Sequence, residues 1–164
     1  MIVQSRMLTF DPMIQIEFPA PDFRFGGEKG QELIWDSIRR RWVRLTPEEW
    51  VRQNVVRYLT KAKGYPQSLI AIEKQIRLGE LNKRYDVAVY YNARPWLVIE
   101  CKEDRVPIDQ KVLEQILRYN SKLSASYLVL TNGYQHFGWQ IAGGRFISLD
   151  AFPDWPDFAA MTGK

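Results

Sequence analysis

Asp86, Glu100 and Lys102 are the residues of this 164-residue chain whose types and spacing could do chemistry. Asp86 lies in the β-branched and aromatic run RYDVAVYY, and Glu100-Cys101-Lys102 closes the nearly all-apolar run WLVIECK. In an extended strand, side chains two residues apart share a face, so Glu100 and Lys102 project together while Cys101 points the other way. A hairpin joining the two runs would set Asp86 beside Glu100 on neighbouring strands. Two hard oxygen ligands with open coordination positions suit Mg2+, for which Mn2+ can substitute, because such an ion binds one or two carboxylates together with substrate phosphate oxygens. The ion would lower the pKa of a bound water and polarise a phosphoryl group, and Lys102 could orient or deprotonate that water. The chemistry that fits is phosphodiester hydrolysis. A carboxylate placed directly after Trp96-Leu97-Val98-Ile99 would also be costly without a metal or Lys102 as partner.

These residues have to be positioned by an α/β core. Residues 1–32 read as an irregular arm with one short strand at Met13–Phe18, rich in Pro and Gly. LIWDSIRRRWVRL fits either a helical stripe or a hairpin turned at Asp36-Ser37, and the hairpin is preferred. Thr46-Pro47-Glu48-Glu49 is a helix start, with Thr46 as cap, Pro47 in the first turn and Glu49 completing a capping box. That helix should run to about Lys61, bury Val51, Val55, Tyr58 and Leu59, and end at Gly64-Tyr65-Pro66. SLIAIEKQIRL, RYDVAVYY and WLVIECK then form an antiparallel meander, the last strand central and covered on both faces. IDQKVLEQILRYNSKL places Val112, Ile116, Tyr119 and Leu123 at helical spacing and predicts a crossover helix, with Tyr119 packed in the core. SYLVLTNG returns as a buried strand, and HFGWQIAGGRFISLD reads as a hairpin about Ala142-Gly143-Gly144 before a capping tail. The expected whole is a single domain: a nuclease-like core over 33–133, a central mixed sheet flanked by helices, and a C-terminal hairpin and tail over 134–164.

RYDVAVYYNARPWLVIECK resembles the D-(x)n-E-x-K core of the PD-(D/E)XK nuclease superfamily. Gln115 and Tyr119 match the Q-x-x-x-Y element on the following helix in the branch that includes RecB-like nucleases and type I restriction enzyme R subunits. Thr46 to Gln53, TPEEWVRQ, is similar to the opening helix of small proteins resembling the N-terminal domain of those R subunits. The similarity runs from about Leu33 to Gly133, with Tyr85 in place of the nominal proline before Asp86. It implies a restriction-endonuclease-like fold and a Mg2+-dependent deoxyribonuclease in which Asp86, Glu100 and the Cys101 carbonyl hold the metal. It further implies a helix acid supporting the metal, Glu49 or its neighbour Glu48, and supporting roles for Gln115 and Tyr119. An R subunit joins its nuclease domain to a motor, whereas this sequence has no G-x-x-x-x-G-K-[ST] phosphate loop. The chain would then act alone or within a larger restriction or repair complex.

Lys and Arg total 23 against 19 Asp and Glu, a net charge of +4 that suits a phosphate-rich partner. Lys83 and Arg84 beside Asp86, with Arg52 on the first helix, are candidates for DNA backbone contact, while Arg39, Arg40, Arg41 and Arg44 read as a solvated face. Among the six Trp, Trp50 or Trp139 could stack bases if exposed. A lone Cys101, no Cys/His cluster and no signal-peptide pattern point to a cytoplasmic protein without zinc, and no apolar run is long enough to span a membrane. Cys101 should be a core thiol and His136 structural. Two readings from other classes are a non-catalytic nucleic-acid-binding module, with steep salt dependence and no metal effect, and a protein adaptor using the aromatic C-terminal hairpin.

Overall fold

The computed structural model describes residues 13–156. Three short strands come first, β1 (Phe25–Glu28), β2 (Gln31–Asp36) and β3 (Arg41–Arg44), paired antiparallel as a small sheet. Helix α1 (Pro47–Arg57) follows and continues through a π-helical turn at Tyr58–Ala62. Strands β4 (Ile70–Leu78), β5 (Leu81–Tyr91) and β6 (Arg94–Cys101) make the antiparallel meander. Helix α2 (Gln110–Tyr119) crosses over to β7 (Tyr127–Thr131), which pairs parallel to β6. Strands β8 (His136–Ala142) and β9 (Arg145–Ser148) finish a six-stranded sheet in chain order. No helix among the described residues is long and apolar enough to cross a membrane.

The sheet is covered on both faces, as the unbroken apolar run of β6 requires. Leu97, Ile99 and Cys101 of β6 join Val87 and Val89 of β5 and Val51, Val55 and Leu59 of α1 in one core. Val98 joins Ala88, Leu128 and Leu130 with Leu113 and Ile116 of α2 in the other. Phe152 and Trp155 close the first core from the C-terminal tail.

Several local readings need correction. Met13–Phe18 forms no strand: Pro19 and Pro21 follow it, and Ile14 N–H to His136 O (2.8 Å) is its inter-strand bond among the described residues. The arm still docks firmly. Ile14 is buried against Gly138, where a Cβ would lie 2.6 Å from its side chain, so glycine is what lets the arm cross β8. The span 1–32 is also not wholly irregular, because β1 and the start of β2 lie within it. On α2 the buried stripe is Leu113, Ile116 and then Asn120, so Tyr119 is 66% exposed and does not pack in the core. Asn120 takes the inward place because both ends of its amide are satisfied there, Nδ2 donating to Ile116 O and Oδ1 accepting from the Tyr85 hydroxyl.

His136 sits at the start of β8 in contact with Thr131 Oγ1 (2.6 Å), and burial lowers its pKa from 6.5 to about 4. The unfolded chain therefore takes up the proton first, and stability falls as pH drops from 6.5 towards 4. That single group should cost the fold about 3 kcal/mol over this window. Urea unfolding at the two pH values checks this, since His136→Gln should flatten that part of the profile.

Candidate active site

Asp86 stands where the regular sheet breaks. The β4–β5 ladder pairs Ile72 with Val87 and Lys74 with Tyr85, passing over Glu73 and Asp86, and Glu73 adopts a positive φ of 52°. Tyr85 and Val87 ought to share a face, yet Val87 packs in the α1-side core and Tyr85 in the α2-side core. The chain thus twists through Asp86, whose carboxylate turns to accept the Cys101 N–H (2.7 Å) and Arg52 Nη2 (2.9 Å). A strand irregularity of this sort re-aims a side chain beside a site.

Helix α1 brings the remaining acids. Thr46 Oγ1 accepts the Glu49 N–H (3.0 Å), so the cap forms, but the Glu49 carboxylate does not return to the cap. It turns inward and accepts from Arg39 (2.8 Å), Arg52 (2.7 Å) and Gln53 (3.1 Å). Glu48, one residue earlier, keeps half its side chain exposed, accepts from Arg52 Nη2 (3.1 Å) and faces Asp86. Burial first, and then the like charge of Asp86, raise the Glu48 pKa above the ordinary value, while the charges of Arg52 and, less strongly, Lys102 work the other way. Glu48 thus feels both Asp86 and Lys102, and between the two α1 acids the open position belongs to Glu48.

Arg52 is the hub of this cluster. Its guanidinium bonds Glu48, Glu49 and Asp86 at 2.7–3.1 Å while its side chain is 7% exposed, and its Nε is buried without a partner. The sequence suggested phosphate contact for Arg52. Its burial and three carboxylate partners give it an inward, charge-balancing position instead. Arg39 repeats the pattern one layer out, joining Asp36 (2.6 Å), Glu49 (2.8 Å) and Glu73 (3.4 Å). Burial alone would raise the Asp36 pKa, but hydrogen bonds and charge from Arg39 outweigh it and hold the carboxyl below its ordinary range. Sequence reasoning missed Asp36 and Arg39; their three-residue spacing in the β2–β3 turn was the available signal.

Glu100 has different neighbours. It forms an ion pair with Lys83, whose ammonium lies 5.0 Å from the Tyr85 ring centre and 5.9 Å from that of Tyr119. Among the described residues no hydrogen bond or ion pair joins Glu100 to Asp86 or to Lys102. The β5–β6 register ends at Val87 and Ile99, one residue short of Asp86 and Glu100, and the two carboxylates take separate partners. Lys102 is half-buried; its N–H donates to Thr131 O (2.8 Å), and its ammonium has no ion-pair partner among the described residues. Burial raises the Cys101 thiol well above its ordinary pKa, which keeps the sulfur protonated and out of nucleophilic chemistry. Gln115 and Tyr119 lie exposed on α2 and line one shallow cavity. Arg84 is exposed, Trp50 partly so, and Trp139 is buried in the α2-side core, where it cannot stack a base.

The oxygen donors near Asp86 are hard ligands of the kind Mg2+ takes. No group of three or more His, Cys, Asp or Glu side chains among the described residues is arranged to hold a metal. That does not disqualify Mg2+, which keeps several waters and needs only one or two carboxylates. Burial and then the like charge of Asp86 suppress the ionisation of Glu48, and the second of these is what a divalent cation would relieve.

A mixed, mostly antiparallel sheet with two helices, compatible with the restriction-endonuclease-like fold, carries this acid and amine cluster. The family model described as type I restriction enzyme R protein N terminus matches residues 47–153, more than half of the sequence, and the chain belongs to that family. No curated protein and no solved structure matches it. By its description the family represents the N-terminal region of the R protein of type I restriction enzymes. The matched segment starts at α1, so the small sheet β1–β3 lies outside it.

Proposed function

We propose that this chain is a Mg2+-dependent deoxyribonuclease of the PD-(D/E)XK kind that works in the cytoplasm. The supporting observation is Asp86, fixed by the Cys101 N–H and facing Glu48, with the Lys102 amine within electrostatic reach. Asp86 and Glu100, with the Cys101 carbonyl, would hold Mg2+ or Mn2+, and Glu48 replaces Glu49 as the helix acid that supports them. The bound ion would supply Lewis acidity to the phosphoryl group and to the attacking water. Lys102 would donate a hydrogen bond to that water and offset charge on the phosphate. Arg52 keeps Asp86 and Glu48 aimed at the site by balancing their charge. Gln115 and Tyr119, both exposed on α2, with Tyr119 beside the Lys83 ammonium, are suited to substrate contact and not to core packing. Lys83 and Arg84 would contribute backbone contacts that carry no sequence information.

Membership of a family described as the N terminus of the type I restriction enzyme R protein favours work beside a motor. Plasmid nicking tests the reading. The purified chain, alone or with proteins that co-purify from its host, should convert supercoiled plasmid to open circles in Mg2+ and leave it intact in EDTA. Nicking that continues in EDTA would remove the metal from the proposal.

A further inference from the structure

The three-stranded sheet β1–β3 carries a feature that the acid cluster does not use. Register pairs Trp35 with Trp42, and alternation puts them on the face opposite Asp36, which turns towards Gln53 of α1. The two indoles meet edge to face with centres 5.5 Å apart. The Arg24 guanidinium lies 5.3 Å from one ring centre and 5.6 Å from the other, and the Trp42 ring rests on Gly26. Trp42 is therefore braced from several sides, yet 40% of it remains in solvent. An indole held rigid and exposed at an edge strand is a ready stacking surface.

Exposed guanidinium groups flank it along β3 and in the turn before it, while acids line the cleft beyond. Arg40, Arg41 and Arg44 are exposed, and none has an acidic partner within ion-pair distance among the described residues. Arg39 in the same run is spent inward. The sequence reading of these four as one solvated face therefore divides into one buried clamp and three free guanidinium groups. Arg41, Trp42 and Arg44 also border a cleft of about 670 Å3 that is lined as well by Arg52 and by the acids Glu48, Glu49, Glu73 and Glu103. The platform thus borders the Glu48 side of the candidate active site.

We propose that this edge of the β1–β3 sheet binds single-stranded nucleic acid, one base stacking on Trp42 while Arg41 and Arg44 hold phosphates on its way to the Asp86 cluster. The inference rests on the nuclease reading for its purpose, but the binding itself needs no metal. Unpaired bases are required because a duplex buries the π-faces that Trp42 would engage. Phosphate is the counter-charge because free guanidinium groups match it bidentately, and aromatic groups interleaved with them add a contact that an acidic peptide does not supply.

The test is fluorescence anisotropy in EDTA with a labelled oligothymidylate and with a duplex of the same length. The wild type should bind the single strand more tightly than the duplex, with quenching of tryptophan emission. Trp42→Ala should weaken single-strand binding about tenfold and leave duplex binding unchanged, whereas Trp42→Phe should retain most of the affinity. Arg44→Gln, at an exposed position that does not threaten folding, should reduce the slope of log affinity against log salt by about 0.7. Equal affinity for single strand and duplex, no response to Trp42→Ala and Arg44→Gln, or displacement by polyglutamate as efficient as by oligonucleotide would overturn the proposal. A chain that binds in this way and never nicks plasmid defeats the nuclease reading alone. A chain that nicks plasmid while the Trp42 and Arg44 variants bind as the wild type does defeats this one alone.

Discussion

Asp86→Asn is expected to lower Mg2+-dependent nicking about a thousandfold with little loss of folded protein. The estimate takes about 4 kcal/mol for the transition-state charge stabilisation that a correctly held metal supplies, at tenfold per 1.36 kcal/mol. The fold should survive because the amide oxygen can still accept the Cys101 N–H; the Arg52 contact is lost, but that guanidinium keeps Glu48 and Glu49. A second consequence separates loss of charge from loss of structure. With Asp86 uncharged, a cause of the raised Glu48 pKa disappears, so Glu48 should titrate closer to an ordinary glutamate in NMR of the variant without metal. Full nicking by Asp86→Asn would remove this residue from the chemistry.

Arg52→Ala should act on stability first. The guanidinium is the shared partner of Glu48, Glu49 and Asp86 at a site where the Arg52 and Glu49 side chains are each 7% exposed. Removing one member of a buried ion cluster leaves like charges uncompensated and costs about 3–5 kcal/mol, and the half exposure of Glu48 puts the loss here at the low end of that range. Glu49 keeps Arg39 and Gln53, so the strain falls mainly on Glu48 and Asp86. Urea unfolding in EDTA should therefore show the full loss. Millimolar Mg2+ should recover part of it by binding the folded state, and more in the variant than in the wild type, because the competing cation is gone. A variant as stable as the wild type in EDTA would mean that Arg52 balances nothing, and a loss untouched by Mg2+ would mean that these acids do not attract the ion.

The features that could be read from the residues were those set by local rules. The unbroken apolar run of β6 demanded cover on both faces, Thr46-Pro47 demanded a helix start, and Ala142-Gly143-Gly144 demanded a turn; each is where the spacing put it. Features that depend on competition between neighbours were not legible. The capping motif accounts for Glu49 on paper, but burial beside Arg39 and Arg52 offers its carboxylate stronger charged partners, and this leaves Glu48 facing Asp86. On α2, Tyr119 and Asn120 both follow the helical stripe closely, and only the Tyr85 hydroxyl arriving from β5 decides that the amide goes inward and the phenol outward. Strict alternation along β5 predicts Asp86 beside Glu100. The break opposite Glu73 gives Asp86 to Arg52 and leaves Glu100 with Lys83. Arg39 to Arg44 reads as one basic run because sequence cannot tell which guanidinium has acids behind it.

A crystal structure of the chain grown with Mn2+, whose anomalous scattering locates the ion, bears most directly on the metal-site proposal. The expected result is one peak bonded to a carboxylate oxygen of Asp86, with Glu48 or Glu100 oxygen in its coordination sphere and the Arg52 guanidinium drawn back from Asp86. A map with no peak at Asp86 at millimolar Mn2+, and Arg52 still spanning Glu48 and Asp86, would contradict it.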